Sequence, residues 1–509
     1  MPQSYIERVL KARVYDVADE SPLTPAKGLS RRLGNQVFLK REDLQPVFSF
    51  KLRGAYNKLW NLDAAARARG VIAASAGNHA QGVSMGASRL GIEAVIVMPR
   101  TTPAIKVDAV RGWGAKAVLH GDSFDEAYAR AMELAEERGL TFIHPFDDPD
   151  VIAGQGTIGM EMLHQHPDPP HAIFVPVGGG GLIAGVAAFV KSIRPEVKII
   201  GVEPEDAPTL HAALAAGKRV SLSEVGLFAD GVAVRIIGEE TFRIARETVD
   251  EVVLVSADEI CAAIKDIFDD TRGIAEPAGA LAVAGMKRYV ERTDIVDEHL
   301  IAIESGANIN FDRLRHVAER AELGERREAL FAVGIPERPG SFLNFCRAIG
   351  KRQITEFNYR YADDREARVF VGIELGGGAA EREAMIARLT EKDFSVLDMS
   401  DNETAKLHIR YMVGGHAPNV ANERLIRFEF PERPGALLKF LSSLGKRWNI
   451  SLFHYRNHGA AYGRVLMGIQ VPDAEHAELI RLLNGIGYGF WDESDNPACR
   501  IFAGAGREV

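Results

Sequence analysis

A chain of 509 residues, 46% apolar and 26% charged, has room for about three domains of roughly 100–200 residues and the makeup of a soluble globular protein. Its net charge of −9 is spread along the chain with no basic stripe, which argues against a nucleic-acid partner. Cys261, Cys346 and Cys499 lie far apart without a CxxC pair, so neither a disulfide framework nor a metal site is expected, and a reducing cytoplasm suits them.

In chain order, Met1–Leu10 has no apolar run of the secretory kind. Ser49-Phe-Lys-Leu-Arg-Gly-Ala-Tyr56 opens a helix with Ser49 as N-cap and an apolar stripe of Leu52, Tyr56, Leu59 and Trp60. Lys51 stands at the helix start, off that stripe; alone, such a lysine reads as a surface residue. Val71–Ala74 reads as a buried strand running into Ala74-Ser-Ala-Gly-Asn-His-Ala-Gln-Gly82 and a helix over Asn78–Leu90. The small residues of that turn let backbone approach a ligand, and the helix start offers free N–H groups to an anion; an ordinary tight turn would look similar. A strand at Glu93–Val97, a helix at Ala104–Gly112, a strand at Ala117–Leu119 and a helix at Phe124–Arg138 continue a βα rhythm that implies a parallel sheet.

Gly154-Gln-Gly-Thr157 reads as a helix-starting turn. Ala172–Val190 is uncharged and long enough to cross a bilayer, but Pro176 and Gly178–Gly181 would break a helix there, so no membrane span is expected. The stretch reads instead as a strand at Ile173–Val177, a glycine loop, and a helix near Leu182–Lys191. Four glycines between a buried strand and a helix can turn successive N–H groups onto one phosphate. Ile199–Val202 is a further buried strand. Glu276, in Glu276-Pro-Ala-Gly-Ala280, reads by itself as a helix N-terminal carboxylate. Glu304-Ser-Gly-Ala-Asn308 follows the strand-like Leu300–Ile303 and could be a simple turn.

Asp312–Glu328 is a charged helical stretch that links two halves. Beyond it, Ile335-Pro-Glu-Arg-Pro-Gly340 recurs as Phe430-Pro-Glu-Arg-Pro-Gly435, and Gly350-Lys-Arg as Gly445-Lys-Arg, each 95 residues on. Phe357-Asn-Tyr-Arg360 recurs as Phe453-His-Tyr-Arg456, and Ser400-Asp-Asn402 as Ser494-Asp-Asn496. Each unit opens with an alternating strand, then a Pro-Gly turn into a helix striped, in the second unit, with Leu437, Leu438, Phe440, Leu441 and Leu444. This is a duplicated split-βαβ arrangement.

Taken together and in this order, the Lys51, Ser75–His79, tetraglycine and Ser305 motifs resemble the fold-type II (tryptophan synthase β-like) pyridoxal-phosphate family. The duplicated region resembles ACT-like regulatory domains. Their combination is similar to the long, biosynthetic threonine deaminases. The resemblance implies an α/β catalytic domain over 1–320, a linker over 321–328, and two α+β ACT-like domains over 329–415 and 424–509. It implies pyridoxal 5'-phosphate attached to Lys51. Asn78 would hold the ring hydroxyl, Gly178, Gly179, Gly180, Gly181 and Leu182 the phosphate, and Ser305 would face the ring nitrogen. Ser75, Ala76, Gly77, Asn78 and His79 would cradle the substrate carboxylate. L-threonine as substrate, 2-oxobutanoate and ammonia as products, isoleucine and valine as effectors, and a cytoplasmic homotetramer are implied likewise. A serine dehydratase or racemase of the same branch is the alternative, and no metal-ligand set can be read.

Overall fold

The computed structural model describes residues 3–336, 345, 348–350, 352, 354–360, 366–411, 422–431, 448, 450–456 and 462–502. Its contacts divide the chain into two compact units, Met1–Ala321 and Glu322–Val509.

The first unit is built on two sheets. The larger has strands in the order Leu23–Pro25, Gln36–Arg41, His299–Glu304, Ala172–Pro176, Lys198–Pro204 and Glu251–Val255, parallel except for the antiparallel edge Leu23–Pro25. The smaller runs Lys116–Leu119, Ala94–Met98, Val71–Ala74 and Thr141–Phe142, all parallel. Ala172–Pro176 and Val71–Ala74 are buried at every position, as strands covered by helices on both faces must be. Helices Asn78–Leu90, Ala104–Gly112 and Phe124–Arg138 close over the small sheet. Helix Pro277–Thr293 packs its many alanines against the large one.

Three local readings change. Phe50, not Ser49, is the residue before helix Lys51–Asn61, and the buried Ser49 hydroxyl has no partner. Gly154–Thr157 is no turn but lies inside helix Pro149–Gln165. There a Cβ on Gly154 would sit 2.6 Å from the Cα of Gly54, so two helices touch backbone to backbone. The charged helix spans only Arg313–Gly324, and a strand already begins at Glu328, because the apolar run after it joins a sheet. The uncharged stretch at 172–190 is the strand Ala172–Pro176 and the start of helix Gly181–Ile193. Among the described residues no helix is long and apolar enough to cross a membrane.

The first turn of the Lys51 helix is anchored by a buried ionic network. Arg53 is fully buried and donates to both oxygens of Glu42 at 2.8 Å, to Glu161 at 2.5 and 3.0 Å, and to Thr157 Oγ1 and Asp19 O at 3.1 Å. Buried Lys40 adds a bond to Glu161 at 2.6 Å. Two cations thus meet two carboxylates with their hydrogens satisfied, the condition under which buried charge is tolerated. Burial pulls the Arg53 guanidinium down, and Glu42 and Glu161 overcome this to raise it. The network ties the strand Gln36–Arg41 and helix Pro149–Gln165 to the first turn of the Lys51 helix.

The second unit holds two four-stranded antiparallel sheets. Their orders are Ile354–Arg360, Glu366–Glu374, Glu328–Pro336, Ser395–Asp398 and Ile450–Arg456, Tyr462–Gln470, Glu423–Pro431, Gly489–Asp492. The repeated Ser-Asp-Asn has one job in both. Ser400 Oγ accepts from Leu330 N and Ser494 Oγ from Leu425 N, each at 3.0 Å, and Asn402 donates to Asn496 at 3.2 Å. An apolar cluster joins the repeats, with Leu330, Ala332 and Phe370 against Leu425, Leu466 and Phe502. The repeated Pro-Glu-Arg-Pro-Gly turns, the striped helix at 437–444, Gly445-Lys-Arg, Cys346, and the side chains of 357–360 and 453–456 lie outside the described residues.

Candidate active site

The sequence motifs of the first unit converge at the carboxyl ends of parallel strands. The tetraglycine follows Ala172–Pro176, Ser305 ends His299–Glu304, and Ser75–Gly77 follows Val71–Ala74. In open α/β sheets that edge is where ligands bind.

Lys51 Nζ donates to Pro145 O at 3.1 Å. Lys51 as a whole is half-buried, and desolvation lowers its amine from 10.5 to about 8 against the opposing charge of Glu276. Residues 144–147 carry Pro145 and are themselves clamped. His144 Nδ1 accepts from Phe146 N at 3.3 Å and Asp147 N at 2.8 Å, while the Asp147 carboxylate caps helix Glu239–Thr248 at Glu239 N and Glu240 N. Phe146 then lies against the tetraglycine, where a Cβ on Gly179 would meet its ring at 2.2 Å and one on Gly181 its backbone at 3.0 Å. Gly180 takes φ +90° to start helix Gly181–Ile193, and Gly179 O is held by Thr241 Oγ1 at 2.7 Å. The loop presents backbone and helix-start N–H groups with no room for side chains, which suits a bound phosphate. Leu182 is buried in the core, so only its backbone is available to a ligand.

Asn78 donates to Glu276 Oε1 at 2.5 Å and accepts from Asn308 Nδ2 at 2.6 Å. Asn308 also donates to Val47 O at 2.8 Å, fastening the asparagine pair to the loop before Lys51. Glu276 precedes helix Pro277–Thr293 but caps none of its N–H groups. Burial first, then the Asp230 charge, pushes it up to about 7, against Lys106, the Asn78 bond and Arg313. Ser305 Oγ donates to Ala278 O at 3.3 Å, and Ser305 O accepts from Phe50 N at 3.2 Å. The hydroxyl is buried and its one bond is long, so it can turn to another acceptor.

Within the Ser75–His79 turn, Ser75 Oγ accepts from Gly77 N at 3.2 Å, and a Cβ on Gly77 would meet nothing within 4 Å. The turn therefore borders open space. The His79 ring points the other way, bonding Ile143 O at 2.9 Å; burial first and the Lys51 charge second lower it to about 3. Any role for His79 toward a ligand falls to its backbone. Asn308 stood inside a motif already read as a turn, but nothing local marked its side chain. Pro145, Phe146, Lys106 and Asp230 carry no sequence signal at all, because their partners lie far along the chain. Among the described residues no group of three or more histidine, cysteine or acidic side chains could hold a metal ion.

A glycine cradle beside a buried, partly neutral lysine is the arrangement of an enzyme that carries a phosphorylated aldehyde cofactor. Residues 14–306 match the family model of pyridoxal-phosphate dependent enzymes, and the chain belongs to that family. Residues 319–409 and 414–502 each match the C-terminal regulatory domain of threonine dehydratase. The chain is thus a fold-type II enzyme with C-terminal regulatory domains. It is 60% identical to L-threonine dehydratase biosynthetic IlvA of Burkholderia multivorans over 501 residues, covering 98% of this chain and 99% of that one. With the Escherichia coli protein of that name it is 55% identical over 500 residues, covering 98% and 96%. Among solved structures, the processed form of threonine deaminase isoform 2 from Solanum lycopersicum shares 55% identity with a TM-score of 0.62, over 63% of this chain and 93% of that one. Maize serine racemase shares 32% with a TM-score of 0.58, over 62% and 96%.

Proposed function

We propose that this enzyme converts L-threonine to 2-oxobutanoate and ammonia and that its C-terminal unit regulates the reaction. The observation that carries the substrate is the near-complete likeness to threonine dehydratases, including two matches to their regulatory domain. A serine dehydratase or racemase shares the catalytic fold but lacks support from the second unit.

The residues fit pyridoxal phosphate. Lys51 would be the attachment point, the 178–182 backbone would hold the phosphate, Asn78 the ring hydroxyl, and Ser305 the ring nitrogen. Once bound, the cofactor supplies a conjugated system that accepts the electron pair left when Cα loses its proton. The Ser75–His79 backbone orients the substrate carboxylate. Lys51, kept partly neutral by burial, removes the Cα proton and returns one as the β-hydroxyl departs as water. Ser305 offers a hydroxyl where a carboxylate would keep the ring nitrogen protonated, which favours prompt loss of the hydroxyl over competing transamination. The released enamine takes up water and gives up ammonia, so the water lost in the first stage is recovered in the second.

Isoleucine as inhibitor, valine as opposing ligand and a homotetramer complete the reading. The supporting features are the duplicated unit and its regulatory-domain match. Turnover of threonine and serine, each with and without isoleucine, tests it: threonine should be preferred and isoleucine should raise the threonine concentration needed. Preference for serine, or indifference to isoleucine and valine at every threonine concentration, would refute the corresponding part.

A further inference from the structure

Across the cleft from the large sheet, Lys106 on helix Ala104–Gly112 reaches Asp230 Oδ2 at 3.1 Å. Asp230 opens the short turn Asp230–Val232, and its other oxygen lies 3.2 Å from Arg313 Nη1. The two cations differ in their surroundings. Arg313 is 9% exposed and also donates to Phe228 O and Leu227 O, so it belongs with the large-sheet side. Lys106 is carried by a helix whose Val107 and Val110 pack in the small-sheet core.

The turn they hold lies against two parts of the candidate site. A Cβ on Gly178 would meet Val232 Cα at 2.9 Å, which places the turn against the phosphate cradle. A Cβ on Gly231 would lie 3.6 Å from Glu276 Oε1 and 4.0 Å from Asn78 Nδ2, which places it against the pair next to the ring. We propose that Lys106 is a positioning residue that closes the small-sheet side onto Asp230 and, through the 230–232 turn, sets the placement and charge of the Asn78–Glu276 pair. The proposal rests on the reading of this cleft as the pyridoxal-phosphate site.

The charges around Glu276 make it testable. Lys51, Lys106 and Arg313 are the cations and Asp230 the anion that face it, with Asn78 as its hydrogen-bond donor. Removing Lys106 leaves Asp230 less balanced, so Glu276 holds its proton to higher pH; removing the Asp230 charge does the reverse. Surrounding protein partly desolvates Asp230, whose side chain keeps 39% of its surface, and Lys106 and Arg313 overcome this to hold it at about 2, so it stays ionised throughout the working range.

The experiment is a pH titration of the bound cofactor's absorbance in full-length holoenzyme, for wild type, K106M, K106R and D230N, with threonine kcat and KM measured on the same samples. The transition set by Glu276, at about 7, should move up in K106M, down in D230N, and stay in place in K106R. KM should rise on the order of tenfold in K106M with a smaller change in kcat, since the residue does not touch the reacting atoms. If K106M loses cofactor, K106Q and D230N still give the two opposed arms. Shifts in one direction for both charge removals, or none, would overturn the proposal, because a merely structural contact predicts no opposed signs. The absorbance arm needs no threonine. A wild type that titrates but leaves threonine untouched refutes the substrate and not this inference, whereas one that takes up no pyridoxal phosphate refutes both.

Discussion

Lys51 shows how much one residue depends on its surroundings. Its amine is lowered to about 8 by burial, and only the neutral form can attack an aldehyde. The rate at which apoenzyme captures pyridoxal phosphate should therefore climb with pH and level off above about 8 rather than near 10.5, as followed by stopped-flow absorbance. A rate still rising steeply at pH 10 would mean the lysine is solvated. Lys51→Ala should abolish attachment and reduce turnover by roughly a hundred- to ten-thousandfold, the worth of a positioned base, with more lost through the missing covalent link. Gly179 makes the complementary point about space. Gly179→Asp drives a side chain into the Phe146 ring and brings negative charge to the phosphate cradle, so cofactor should dialyse away. Cofactor content equal to wild type after dialysis would show that the phosphate sits elsewhere.

Elements rather than residues decide where Lys51 points. Its helix is fixed by the Arg53–Glu42–Glu161–Lys40 network from one side and by the Gly54–Gly154 contact from another. Arg53→Met keeps much of the volume but leaves Glu42 and Glu161 short of a cation. Breaking a buried pair in this way costs about 3–5 kcal/mol, so the denaturation midpoint of the enzyme should fall markedly. The double replacement Arg53→Met with Glu42→Gln should recover part of the loss. A midpoint within error of wild type for Arg53→Met would mean water reaches the network. The same logic explains the Ser49 correction: the chain reaches the helix through an isolated bridge between Ser49 and Gly306, so the hydroxyl faces the interior instead of the first turn.

At the scale of the whole chain, a catalytic unit and a duplicated unit are joined in one polypeptide. Regulation requires that an effector bind two states of the enzyme unequally. With coupling of roughly 1–3 kcal/mol, isoleucine should shift the apparent affinity for threonine on the order of 5–150-fold. A chain ended at Ala321 should turn over threonine without responding to isoleucine, provided size-exclusion chromatography shows it to be soluble and unaggregated. A truncated enzyme that still answers isoleucine would place the effector site in the first unit.

Local pattern was enough for the βα rhythm, the buried strands and the glycine loop, because periodicity and small residues act over a few neighbours. The element spans at Val71–Ala74, Asn78–Leu90, Ala104–Gly112 and Phe124–Arg138 were legible for that reason. The repeat could be read for a different reason: two copies of one pattern in one chain act as their own comparison. Resemblance, not spacing, attached a cofactor to these motifs. Tertiary structure alone decided what depends on distant partners. It turned the His79 ring into the core, paired Asn78 with Glu276 across 198 residues, and set Lys106 against Asp230 across 124. Charge and burial act through space, and a linear pattern holds no record of which surfaces the fold will bring within 3 Å of one another.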